Sequence, residues 1–181
     1  MELKKRKNMI NNFDDKNDIF KISSEIREAT LDDVADIQAL TKKLFVHEIS
    51  EGYSDNLDSN WSFSEEGKKE IQERITSKKS SCGFVFMIDN QIVGYLIGRI
   101  LEEETGRAEL KYADLEYMFV DDKYRGRSIG EKLVKKFKNW VKSKGLKIIK
   151  TNVSYKNKGA ISFYTKMGLI PADVTMKMTV E

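Results

Sequence analysis

Apolar positions along this chain recur with two periods, and the points where the period changes mark out the elements. Leu31, Val34, Ile37, Leu40 and Leu44 follow one another at three or four residues, which predicts a helix over about 31–47 with its apolar stripe in the core. Thr30 can cap it, and residues 26–29 before it read as a short strand. A second helix is expected over about 65–78, where Ile71 and Ile75 stand one turn apart. Residues 83–89 and 92–101 are apolar, β-branched runs joined by Asn90 and Gln91, the pattern of a hairpin. A longer loop with Glu102, Glu103, Glu104 and Gly106 should lead to a strand over about 108–120. An amphipathic helix over 129–144 ends before Gly145, a good C-terminal cap, and is followed by a strand over 146–153, a helix over 157–167 and a final strand over 174–180. The order β-α-α-β-β-β-α-β-α-β is that of a mixed α/β layer fold. Residues 1–20 are polar, without a sustained period, and read as an N-terminal extension to a single domain over 21–181.

Composition removes several kinds of chemistry. Cys82 is the only cysteine and His47 the only histidine, so neither an intramolecular disulfide nor a Cys/His zinc site can be assembled. A cysteine acyltransferase would need this one pair, from different predicted elements; a buried core thiol is the plainer reading. No metal is expected, and a reducing cytoplasm is the natural compartment. No apolar stretch approaches the ~20 residues of a spanning helix, and no apolar signal core follows Lys4-Lys5-Arg6-Lys7.

Net charge is +3, but the charges are segregated. Residues 45–67 hold six carboxylates and no Lys or Arg, whereas residues 123–158 hold thirteen basic residues and one acid, Glu131. Most of the second block is the solvated face of a helix. It also surrounds the segment 120–130, Val-Asp-Asp-Lys-Tyr-Arg-Gly-Arg-Ser-Ile-Gly, which lies between an apolar strand and that helix. Backbone N–H groups and a positive helix end converge there, as a phosphate site requires. The spacing is neither that of a dinucleotide turn nor that of a nucleotide P-loop. A nucleic-acid partner lacks support, because no basic strand interleaved with aromatics and no helix-turn-helix spacing is present.

Arg125, Ser128 and Gly130 resemble the [QR]-x-x-G-x-[GA] pyrophosphate loop of the GNAT superfamily of acetyl-CoA-dependent N-acetyltransferases, with Ser128 where that family usually has Gly or Ala. Residues 157–169, Asn-Lys-Gly-Ala-Ile-Ser-Phe-Tyr-Thr-Lys-Met-Gly-Leu, resemble its N-x-x-A-x-x-F-Y-x-x-x-G-F segment. The resemblance implies a central mixed sheet of about six to seven strands flanked by about four helices, and acetyl-CoA as co-substrate. It implies a CoA grip by the backbone of Arg125, Gly126, Arg127, Ser128, Ile129 and Gly130. It further implies main-chain contacts from Met118, Phe119 and Val120, a hydrogen bond from Asn157, and a Tyr164 hydroxyl placed to protonate the departing thiolate. Asn157 as an ordinary helix cap and Tyr164 as a core aromatic are the plain alternatives.

The acceptor amine must first lose a proton. An amine with pKa ~10.4 is neutral in about one molecule in 2,500 at pH 7, a deficit of roughly 4.6 kcal/mol. Glu116, in an otherwise apolar strand, is the candidate base, with Asp114 in reserve and an ion-paired strand carboxylate as the ordinary explanation. Glu48, Glu51, Asp55 and Asp58, together with Tyr53, Trp61 and Phe63, suit a cationic acceptor such as a polyamine, an aminoglycoside-like amine or a lysine side chain, with a solvated acidic loop as the plain alternative. The function expected is N-acetyl transfer to such an amine by direct attack in a ternary complex. A protein N-terminal or lysine acetyltransferase, or a CoA-binding module without turnover, are the alternatives. A homodimer is compatible with the reading, a membrane association is not.

Overall fold

The computed structural model describes residues 23–105 and 108–180. The expected extension 1–20, and Gly106 in the expected loop, lie outside the described residues. Five strands form one sheet in the order β1-β2-β3-β4-β5, where β1 is Ser24–Glu28, β2 Ser81–Ile88, β3 Gln91–Thr105, β4 Ala108–Val120 and β5 Ile149–Lys150. The first four pair antiparallel, and β5 joins β4 in parallel after a helical crossover. The helices are α1 (Val34–Ser50), α2 (Glu65–Thr76), α3 (Ile129–Ser143) and α4 (Lys158–Lys166).

Strand alternation divides the core between the two faces of the sheet. Phe84, Phe86, Leu96 and Leu115 turn to one face and meet Leu133, Val134 and Phe137 of α3. Val85, Tyr95, Ile97 and Phe119 turn to the other and meet Ile37 and Leu40 of α1 and Ile71 and Ile75 of α2. Cys82 is buried in the α3-facing cluster, where burial pushes its thiol pKa up, as expected of a core thiol. Gly98 is obligatory in this packing, because a Cβ there would stand 2.3 Å from the Phe137 ring.

Several expectations need correction. The β2–β3 turn is Asp89-Asn90, one residue earlier than expected; both have positive φ, +47° and +64°, a conformation that Asp and Asn tolerate better than Gln. The expected loop at 102–104 belongs to β3, which stays paired with β4 as far as Thr105 and Ala108. β5 is only two residues long, where eight were expected. The expected strand 174–180 does not form: Val174, Met176, Met178 and Val180 alternate as a strand would, but they are 73–87% exposed. Alternation makes a strand only where an edge accepts it, and none does so here among the described residues. The sheet therefore has one strand fewer than the low end of the expected range.

Candidate functional site

β4 and β5 part company almost as soon as they meet. They pair at Ala113 with Ile149 and at Asp114 with Lys150, and the Thr151 hydroxyl then donates to the Leu115 carbonyl at 3.0 Å. Beyond that tie β4 runs on to Val120, still paired with β3 on its other side, while the chain after β5 turns toward α4. One edge of residues 116–120 is thus left without a strand partner among the described residues, a place where an extended amide-bearing ligand can pair with main chain. Met118, Phe119 and Val120 lie along it. Met118 and Val120 pack toward α3 while Phe119 is buried toward α1, so only their backbone is offered to the gap.

The parting coincides with a bulge. Ile97 pairs with Tyr117 and Gly98 with Leu115, so Glu116 is an extra residue on β4 with no counterpart on β3.

Directly after β4 the chain makes a 3-10 turn over Asp122–Tyr124, with the Asp121 carboxylate accepting from the Lys123 amide at 3.1 Å. Arg125 donates through Nε to the Val120 carbonyl at 3.2 Å, and its guanidinium lies 5.4 Å from the Phe119 ring centre. Gly126 (φ +76°) and Ser128 (φ +57°) are both left-handed, and α3 starts at Ile129. At Ser128 the backbone lies where a Cβ is strained, a position that suits glycine better than serine. The Ser128 side chain makes no cap hydrogen bond, so the first amides of α3 stay available to an anion. Gly130 serves a close approach, since a Cβ there would stand 3.2 Å from the Phe163 ring of α4.

Asn157 caps α4, its Oδ1 accepting from the Ala160 amide at 2.9 Å. Two turns on, Tyr164 packs edge-on against Phe163, with ring centres 5.2 Å apart. Burial pushes its phenol up to about 12, opposed by a hydrogen bond with Thr151, the residue whose hydroxyl closes the β4–β5 pairing. Loop, parted strands and Tyr164 therefore belong to one site.

The other wall is α1. Along its inner face the Thr41 hydroxyl meets Tyr95 Oη at 2.8 Å, and one turn further Phe45 stacks on Trp61 at 5.8 Å and tilts against Tyr117 at 6.0 Å. Trp61 is held by a buried reciprocal pair, Gln38 Nε2 donating to the Ser62 carbonyl and Ser62 Oγ to the Gln38 carbonyl. Glu48 comes next on the same face. Burial raises its pKa against the pull of His47, and its charge in turn raises Tyr95 and Tyr164. The remaining acids expected at this wall are exposed. Asp55 pairs with Lys177 at 2.7 Å, Asp58 accepts from the Asn60 amide at 2.8 Å, and Glu51 faces solvent.

Glu116 is ion-paired. Arg74 of α2 donates to it from Nε at 2.8 Å and Nη2 at 3.3 Å, and Arg99 of β3 stands 3.2 Å away. Asp114 lies 3.5 Å from Arg99, and burial and the Glu116 charge raise its pKa. Sequence reasoning did not single out Thr151, Arg74, Arg99 or the Gln38–Ser62 pair. Each acts through a contact between residues far apart in the chain, and no local pattern marks it.

Three comparisons bear on this arrangement. A curated uncharacterised N-acetyltransferase of Methanocaldococcus jannaschii is 39% identical over 62 residues, which is 34% of this chain and 27% of that protein. The chain thus spans about a quarter of the length of that relative. Among solved structures, a mutant of the BH1408 protein of Bacillus halodurans superposes with a TM-score of 0.75 at 20% identity, covering 87% of this chain and 99% of that one. The PaiA N-acetyltransferase of Thermoplasma acidophilum, in complex with coenzyme A, does so at 0.71 and 19%, covering 84% and 93%. AAC(6')-Iy in complex with the bisubstrate analogue CoA-S-monomethyl-acetylneamine does so at 0.68 and 16%, covering 88% and 99%. The profile of the acetyltransferase (GNAT) family matches residues 45–169, a span that takes in the inner end of α1, the parted strands, the loop and α4. By that match the chain belongs to the GNAT family of acetyltransferases.

Proposed function

We propose that the protein transfers the acetyl group of acetyl-CoA to a primary amine of a small cationic acceptor, by direct attack in a ternary complex. The observation that carries the reading is the parting of β4 from β5 beside a left-handed loop at the start of α3, with Tyr164 hydrogen-bonded to Thr151, the residue that closes the β4–β5 pairing. The pyrophosphate would rest on the amides of residues 125–130, and the pantetheine arm would pair with the open edge of β4 at Met118 to Val120. An N–H of that edge would polarise the thioester carbonyl. Asn157 would keep its capping role while its exposed surface borders the CoA arm.

The acceptor would enter from the α1 side. Glu48 is a half-buried carboxylate whose charge is felt at Tyr164, and its raised pKa suits a group that takes a proton from an ammonium. The amine nitrogen then attacks the carbonyl carbon, the C–S bond breaks with its electron pair going to sulfur, and the proton that the new amide nitrogen sheds passes to the thiolate, so that N-acetyl amine and free CoA thiol leave. A phenol at about 12 stays protonated and donates a hydrogen bond to that sulfur. Full transfer to a thiolate of pKa ~8.5 is uphill, so Tyr164 would act chiefly by stabilising charge as it develops. The Trp61, Phe45 and Tyr117 faces give a cationic acceptor an aromatic wall. An aminoglycoside-derived ligand in AAC(6')-Iy agrees with an acceptor of this class.

Free-thiol release from acetyl-CoA, measured against a panel of polyamines, aminoglycosides, amino acids and lysine peptides, tests the reading. Turnover with polycationic small amines is expected. Turnover with peptides alone would replace the acceptor class, and CoA binding without turnover on any amine would leave a binding module.

A further inference from the structure

Glu116 sits at the one irregular point of β4, where Arg74 and Arg99 hold its carboxylate and the carboxylates of Glu70 and Asp114 stand near enough to feel its charge. The extra residue of a bulge is left out of the strand ladder and needs another fastening. Here Arg74 grips both carboxylate oxygens, at 2.8 and 3.3 Å, while Arg99 reaches one of them at 3.2 Å. The clamp is itself fixed. Arg74 lies 3.5 Å from Glu70 one turn earlier on α2, and its carbonyl accepts from the Ser81 hydroxyl at the start of β2 at 2.7 Å. Arg99 is the cross-strand partner of Asp114, where β4 makes its last pair with β5. The Glu116 side chain is 9% exposed and that of Arg74 17%, so the fork is shielded from water and far from an ordinary surface pair.

We infer that Arg74 and Arg99 are positioning residues: through Glu116 they hold the β4 bulge in place, and so aim the backbone N–H groups at the point where β4 leaves β5. Glu116 is then an anchor, and the proton of the acceptor amine goes elsewhere. Both of its oxygens are already engaged by guanidinium groups, and turning either toward an acceptor would release the bulge. The inference rests on the acetyl-transfer reading for its kinetic consequence, but its structural half does not.

The test uses Arg74→Met, Arg74→Lys and Glu116→Gln in the full chain. Arg74→Met should speed hydrogen exchange at the amides of residues 115–118 relative to the rest of β4. It should also lower kcat by ~10- to 100-fold while acetyl-CoA affinity changes less than about twofold, because a small misplacement of the polarising N–H affects the transition state most. Arg74→Lys, which keeps the charge and loses the fork, should fall between. Glu116→Gln should keep the acid limb of the kcat/KM profile. Loss of that limb, with Arg74→Met at wild-type turnover, would restore Glu116 as the base and overturn the inference. Unchanged exchange at 115–118 in Arg74→Met would overturn it as well, whatever the activity. If Arg74→Met does not fold, Arg99→Gln supplies the same exchange and kinetic readouts. Faster exchange in a protein that acetylates no amine would uphold the clamp and count against the acetyl-transfer reading alone.

Discussion

The two walls of the site are built in opposite ways. On the side where CoA is proposed to bind, β4, the loop and the start of α3 follow one another without a break over 113–130, and what they present is backbone: a strand edge unpaired among the described residues, two left-handed residues and uncapped amides. On the side proposed for the acceptor the wall consists of side chains from three separate stretches, Glu48 from α1, Trp61 from the turn before α2 and Tyr117 from β4, with the buried Phe45 of α1 packed behind the two rings. Main chain recognises what every member of a family binds, and side chains can be exchanged to suit an acceptor. The first wall should resist change, and the second should accept it with altered specificity.

The comparison breaks most visibly at Tyr164, which stands between the walls. Tyr164→Phe should reduce kcat by ~100-fold with little change in acetyl-CoA affinity, since the hydroxyl matters when charge develops on sulfur; steady-state kinetics beside equilibrium CoA binding check this. Unchanged turnover at saturating substrate would return it to core packing.

On the CoA wall, Gly130→Val should weaken acetyl-CoA binding by about tenfold, because the new side chain drives Phe163 and the start of α3 apart. Lys135→Ala, which removes one solvated charge, should change it by less than about twofold. Calorimetric titration of both variants separates backbone approach from general positive charge.

On the acceptor wall, Glu48→Gln should raise KM for a polycationic amine several-fold, an effect that shrinks with added salt. It should also raise Tm at neutral pH. Burial lifts the folded pKa of Glu48 above its unfolded value, so ionised Glu48 opposes folding above that folded pKa, and the penalty fades as pH falls toward the ordinary carboxylate range. The stability difference between Glu48→Gln and wild type should therefore vanish in acid. Equal Tm at pH 7 would place the carboxylate in water.

The smallest effect is expected at Ser128. Relief of a left-handed serine is worth ~1–2 kcal/mol, partly offset by the extra freedom of glycine in the unfolded chain. Ser128→Gly should therefore gain about 0.5 kcal/mol net, or roughly 1–2 °C in Tm, with CoA binding retained.

Sequence patterns carried the CoA wall well because it is local. Arg125, Ser128, Gly130, Asn157 and Tyr164 are recognisable at fixed spacing; the structure sets Gly130 against Phe163, next to Tyr164, and Asn157 at the cap of α4. The acceptor wall was legible only as composition. Six carboxylates over 45–67 suggested an acidic pocket, but only Glu48 lies on α1, where helix phase turns it inward, while Glu51, Asp55 and Asp58 follow the helix end and are exposed. An ion pair for Glu116 was the ordinary expectation, but its partners, Arg74 and Arg99, could not be named because they are 42 and 17 residues away in the chain. The tail at 174–180 has the alternation of a strand, but alternation says nothing about whether a neighbour is there to receive it.

The sheet's connectivity also sets an order of assembly. β2, β3 and β4 form a meander whose links are two residues long, between Ile88 and Gln91 and between Thr105 and Ala108. Such contacts close small loops and cost little chain entropy. β5 is reached only after the whole of α3 and is held by two residue pairs, a pairing of long loop and small return. The meander should accordingly form early and β5 dock late, so the gap that would receive CoA is completed last and opens first. Ligand bound across it would add most protection where the free protein has least.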